Sequence, residues 1–325
     1  MIRIASLAAL AMLAGATDAQ DAPRLGLPAD CALGDTCFIQ QYPDADPSPA
    51  AQDYMCGALS YDGHKGTDFG LPSLAAMEAG VDVFASAPGT VRGMRDGMPD
   101  RIFSADMESE MAGRDCGNGV AIDHGNGWET QYCHMAEGSL MVRTGDVVER
   151  GTPLGRIGLS GRTQFPHVHI SLRKDGETVD PFRPEAGCGA VGADPLWIDL
   201  PAYQPGGLLA AGLSVTVPDY DAIKAGTAAI EALATDAPSL VAWGYGYGAR
   251  KGDTMQLTII GPNGETVFQQ EAAIDKAQAQ YFRAAGKRAR TPWPEGSYTA
   301  RAELLRDGTV IDTAEGTAQT GPISR

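Results

Sequence analysis

Two short runs constrain this chain more than anything else in it: His64-Lys65-Gly66-Thr67-Asp68, an HxxxD, and His167-Val168-His169, an HxH. In a sequence with five histidines among 325 residues, composition alone gives about 0.1 HxH matches, so that pair carries the weight. Residues i and i+2 of a strand project from one face, which lets His167 and His169 point into a single site. His64 and Asp68 lie on a glycine-containing segment that can bring an imidazole and a carboxylate round to meet them. A catalytic zinc takes three protein ligands of these kinds and keeps a fourth position for water. The pattern therefore points to a zinc site that hydrolyses an amide bond, with His134 lying between the two runs.

The wording around these residues matches a family. GHKGTDFG, GWETQYCHM and SGRTQFPHVHISL are similar to the three signature blocks of the lysostaphin/LytM-type zinc endopeptidases, which cut peptidoglycan cross-bridges. VDVFASAPGTV and GDVVERGTPLGRIGLSG also look like that family's glycine-punctuated β-structure, so the resemblance runs over about residues 55–185. It implies a mainly antiparallel β peptidase domain in which His64, Asp68 and His169 hold Zn2+. It makes His134 and His167 the unliganded catalytic pair beside a metal-activated water. One would be the general base and the other the donor to the tetrahedral oxyanion, in an order the sequence leaves open. Two positions depart from the family: Phe165 stands where glycine usually precedes Pro-His, and Ile170-Ser171 replaces the common Phe-Glu. Both bear on the shape of the substrate groove.

The implied function is an exported zinc metalloendopeptidase acting on peptidoglycan stem peptides. Two alternatives stand beside it: a catalytically silent LytM-like binding or activator protein of another wall hydrolase, and a zinc peptidase acting on proteins. A formal net charge of −16 argues against nucleic acid, which would require a basic face.

Residues 1–19 read as a signal peptide, with Arg3 as the positive region, Ala5 to Leu13 as a short apolar core and cleavage near Ala16 or Ala19. That core is too short to span a bilayer and no other stretch approaches transmembrane length, so the expectation is a periplasmic or secreted protein. Six cysteines in such a chain suggest up to three disulfides. Asn126-Gly127 signals a hairpin turn between strands over 119–123 and 128–133, which would bring Cys116 to Cys133. Cys31, Cys37, Cys56 and Cys188 would tie the N-terminal segment to the core in an open order. His124 falls in that hairpin and is expected as an exposed turn residue.

The expected organisation is an N-terminal segment over 20–50, the peptidase domain over 51–193, a proline- and glycine-rich linker over 194–207 and an accessory domain over 208–325. The stretch from Arg92 to Gly117, usually short in the family, is either a solvated loop with one helical turn or a wall of the substrate groove. In the last segment, runs at 213–217, 239–243, 255–260, 266–269, 297–305 and 309–312 read as short strands. Their spacing suggests a small immunoglobulin-like β-sandwich, with a weak helix over 222–234. Arg283, Lys287, Arg288 and Arg290 read as a solvated loop or as a contact with anionic envelope polymer. Trp243, Tyr245, Tyr247 and Trp293 read as core or as a carbohydrate-stacking surface.

Overall fold

The computed structural model describes residues 22–185 and 187–321; the signal-peptide reading and its cleavage points lie outside the described residues. Glycine and asparagine turns cut the first half of the chain into short extended runs: β1 (Phe38–Gln41), β2 (Thr67–Gly70), β3 (Asp82–Phe84), β4 (Gly89–Arg95), β5 (Asn118–Gly125) and β6 (Trp128–Met135). β7 (Val147–Val148), β8 (Pro153–Arg156), β9 (His167–Lys174) and β10 (Glu177–Val179) follow. Eight of these make one sheet in the order β1-β2-β9-β6-β5-β4-β7, with β10 on β9, while β3 and β8 pair separately.

β9 is the strand that matters. Its residues alternate between two environments: Val168, Ile170 and Leu172 are buried in the apolar core, at 0%, 3% and 2% exposure. His167, His169 and Ser171 therefore face the other way, as the period of two requires. Burying each of those three apolar side chains contributes about 1.5–3 kcal/mol. A one-residue slip in register would turn the histidines into the core.

The stretch before residue 51 is not separate from the first sheet. β1 pairs with β2, setting Gln41 opposite Asp68, and Phe38, Ile39 and Leu25 enter the same core. The expected linker also contributes, because Leu196 and Trp197 are buried there and Leu25 N–H donates to Leu196 O at 2.7 Å. Large apolar side chains at these positions explain the difference, since each gains more from the core than from water.

The second half forms β11 (Gly207–Ser214), β12 (Ala232–Leu233), β13 (Ser239–Ala249), β14 (Thr254–Ile260), β15 (Thr266–Ala273), β16 (Gln278–Arg288), β17 (Gly296–Arg306) and β18 (Thr309–Thr320). They assemble as sheets β11-β13-β16 and β12-β18-β17-β14-β15. Leu213, Leu240 and Tyr281 of the first sheet share one core with Leu257, Ile259 and Leu304 of the second. The expected helix over 222–234 is only a short α-helix at Tyr220–Ala225, stopped by Gly226 at φ 82°. Trp243, Tyr245, Tyr247 and Trp293 are all buried, which removes the carbohydrate-stacking surface. The basic run is not a loop: Arg283, Lys287 and Arg288 lie on β16, and Arg283 donates to Gln278 and to the Ala273 carbonyl.

The halves are joined by side chains as well as by chain. Phe38 and Tyr247 have ring centroids 4.5 Å apart. Gln40, 1% exposed, donates from Nε2 to Ala279 O at 2.9 Å and accepts from Gln280 Nε2 at 3.2 Å. A buried amide satisfied across an interface holds it, because opening would leave both partners unpaired. No described helix is long and apolar enough to cross a membrane.

Candidate metal centre

The antiparallel register sets Asp68 of β2 directly opposite His169 of β9, and Gly70 opposite His167. Directly opposed residues on one face of a sheet are close neighbours. Asp68 Oδ1 is 2.7 Å from His169 Nδ1 and 3.3 Å from His64 Nε2, and those two nitrogens are 3.2 Å apart. A tetrahedral zinc with bonds near 2.0–2.1 Å has ligand–ligand edges of about 3.3 Å. Two of the three edges match that figure and the third is shorter, so the donor set fits the ion in both chemistry and spacing. Among the described residues, His64, Asp68 and His169 form the one cluster of this kind.

Outer contacts orient the rings. Tyr42 O is a carbonyl and can only accept, so the 2.8 Å contact from His64 Nδ1 places the proton there and leaves Nε2 bare toward the site. Ser171 Oγ, 2.9 Å from His169 Nε2, is placed to accept that nitrogen's proton and free Nδ1. Burial alone would raise the Asp68 carboxyl, yet His64 and His167 beside it hold it well below the usual carboxylate range. Burial pushes His169 down. At His64 burial also works downward, but the Asp68 charge overrides it and raises the imidazole. Gly66 is required by space: a Cβ there would lie 2.5 Å from both His169 Nε2 and Ile170 O.

His134 and His167 sit together beside this cluster, with ring centroids 4.6 Å apart. His134 Nδ1 donates to Ser160 O at 2.8 Å, and His167 Nδ1 donates to Phe165 O at 3.0 Å. Each therefore presents its Nε2 away from the protein backbone; that of His167 is 3.4 Å from Asp68 Oδ1. His134 adopts φ 62°, and its own N–H donates to Cys116 O at 2.8 Å. Burial, then the neighbouring His167 and His169, push the His134 imidazole well down, which favours its neutral form.

All five sequence-predicted site residues thus meet at one place. Four of them, Asp68, His134, His167 and His169, open into a cavity of about 760 Å³, within the range of small-molecule sites. The 92–117 stretch begins on β4, which runs to Arg95. It holds a single turn of 3-10 helix and a short α-helix at Glu108–Met111, and its Ile102 and Phe103 line the cavity. Arg162 stacks 4.6 Å over Phe103 and grips Glu108 through two bonds of 2.7 Å.

His124 differs from expectation. It is half-buried at the end of β5, between Pro88 O at 2.6 Å and Thr130 Oγ1 at 2.8 Å, and the turn itself is carried by Asn126 at φ 50°. The cysteines pair as Cys116–Cys133, Cys31–Cys37 and Cys56–Cys188. Apart from its place three residues upstream, nothing in the sequence pointed to Tyr61, whose ring lies 4.4 Å from that of His64. Nor could it reveal the carbonyls of Tyr42, Ser160 and Phe165, since any residue type supplies one.

Residues 62–181 match the family model described as peptidase family M23. The chain is 31% identical over 120 residues to peptidoglycan DD-endopeptidase ShyA of Vibrio cholerae, covering 37% of this chain and 22% of that protein. It is 34% identical over 125 residues to DD-carboxypeptidase/endopeptidase Mpg of Neisseria meningitidis, covering 36% and 22%. The chain thus spans about a fifth of the length of the curated relatives it matches. Among solved structures it is similar to the catalytic domain of the prophage-encoded protein EnpA from Enterococcus faecalis, at TM-score 0.31 and 24% identity over 49% of this chain and 94% of that one.

Proposed function

Because residues 62–181 match the model of peptidase family M23, we propose that the protein is an exported zinc metalloendopeptidase that hydrolyses peptide cross-links of peptidoglycan. The observation that carries this reading is the triangle of donor atoms on His64, Asp68 and His169, with edges of 3.3, 3.2 and 2.7 Å. Relatives whose names describe peptidoglycan endopeptidases support the substrate class. Six cysteines paired in three disulfides support an oxidising compartment outside the cytoplasm.

His64, Asp68 and His169 would hold the ion. When bound, zinc supplies Lewis acidity toward the scissile carbonyl and brings a coordinated water toward a pKa of about 7. The chain's own contribution is proton handling. His134 and His167 each bond a backbone carbonyl through Nδ1, so one takes the water proton at its Nε2 and passes it to the leaving amine. The other donates to the developing oxyanion as an imidazolium, the only form with a proton on Nε2. Their Nδ1 bonds to Ser160 O and Phe165 O lock both rings in that orientation, so no rotation is needed during the reaction.

Metal analysis of two purified variants tests this division of roles. His169→Ala is expected to lose the ion and the activity together. His134→Ala is expected to keep one zinc per chain while turnover falls by about 10²–10⁴. Full zinc stoichiometry in His169→Ala contradicts the ligand assignment.

A further inference from the structure

The cavity at the metal centre has two sides. One carries Asp68, His134, His167 and His169; the other is built by the C-terminal half, from Tyr220 and Lys224 of the short helix and from Lys276 to Gln280 at the β15–β16 turn. We propose that the C-terminal domain is a wall of the catalytic cleft and that Lys276, with Lys224 lining the same cavity, binds a carboxylate of the peptide substrate. This inference rests on the peptidase reading and adds to it a chemistry of recognition.

Three observations carry it. First, the wall is fixed in place. The Gln40 side chain is bonded on both sides to Ala279 and Gln280, next in the chain to Gln41, which lies opposite Asp68. The lysine turn is therefore tied through β1 to a strand bearing a metal ligand.

Second, the charge of this cavity runs against that of the protein. In a chain of net charge −16, the charged groups lining it are Arg162, Lys224 and Lys276, with Asp68 as its one carboxylate. Arg162 is already neutralised by Glu108 and Asp115. Lys224 pairs with Asp221, a carboxylate 92% exposed, and such a surface pair is worth little. Its ammonium sits 5.0 Å over the Tyr220 ring, which holds it at the cavity. Lys276 is exposed and has no ion pair among the described residues.

Third, the neighbouring cavity of about 740 Å³, which has His64 on its wall, has the opposite character. Asp44, Asp46, Asp62, Asp180 and Glu185 line it against Lys65 and Arg183, so carboxylates outnumber cations there and disfavour an anionic group. A peptide carboxylate is therefore favoured on the C-terminal-domain side of the metal centre, where two ammonium groups each offer three donors.

The test uses the full-length zinc-loaded protein and two synthetic stem peptides that differ only in a carboxylate replaced by its carboxamide. Lys224→Gln/Lys276→Gln is compared with the unaltered protein, and melting curves check that the fold is kept. The expected result is an approximately tenfold rise in KM for the carboxylate peptide with kcat held within about twofold, and no change for the carboxamide. The difference should shrink in molar salt. Binding is measured separately by calorimetry in a His134→Ala background, where the same two lysine substitutions should weaken only the carboxylate peptide. Equal losses on both peptides, no loss on either, or no binding of either peptide overturns the proposal. Cleavage without discrimination leaves the peptidase standing and removes the lysines; binding discrimination without cleavage does the reverse.

Discussion

Asp68 is surrounded by the imidazoles of His64, His167 and His169, all within 3.4 Å of one oxygen. Little in such a cluster can move. Gly66→Ala shows this most sharply, because its new Cβ would meet both a ring nitrogen and the Ile170 carbonyl oxygen. A side-chain tip could swing away, but a backbone oxygen within a sheet cannot. The variant is expected to lose most of its zinc and to melt several degrees lower, as metal analysis and calorimetry will show; full zinc occupancy would mean that the ring has room after all. At this scale the sequence was legible wherever chemistry depends on residue type. His64, His134, His167 and His169 could be singled out because imidazoles are scarce, and Asp68 because it stands four residues from one of them. The carbonyls that fix their tautomers could not, because they belong to the backbone.

The β5–β6 hairpin positions His134. The Cys116–Cys133 bridge closes it across a sequence separation of 17, and Cys116 O receives the His134 N–H. Closing a loop of that length stabilises by about 3 kcal/mol through the unfolded chain. Cys116→Ser/Cys133→Ser is expected to lose about that much in denaturant unfolding and to lose turnover while keeping zinc. Unchanged kcat would show that the bridge does not orient His134. This hairpin was readable from its Asn-Gly turn, and β9 from the alternation in HVHISL. β16 was not: QAQYFRAAGKR places small or polar residues on both faces, so no period of two emerges and its basic residues read as a loop. β1 was missed for a different reason. A four-residue strand is specified by the partner it finds far along the chain, not by its own pattern.

For the whole molecule, the two halves share an interface and the first sheet draws residues from well outside its motif blocks, which is why the domain limits were the least legible part. Asp180 lies near the end of this sheet. Burial pushes its carboxyl up to about 7, and its Oδ2 is buried without a partner. The folded protein therefore prefers the protonated form, while the unfolded chain ionises near the ordinary value of 3.8. The stability from this group is complete below about pH 4 and is lost as pH rises through about 7. Wild-type melting temperature should fall between pH 5 and pH 8 by more than that of Asp180→Asn, which cannot ionise. Parallel profiles would show that the group titrates normally.

The central claim is a metal-dependent peptide hydrolysis in the cell wall, and mass analysis of the fragments released from defined peptidoglycan tests it most directly. The purified protein should convert cross-linked muropeptides to their hydrolysed halves, stop when chelator removes the metal and resume when zinc is restored. Intact cross-links in the zinc-loaded reaction, or cleavage that continues undiminished in chelator, would contradict it.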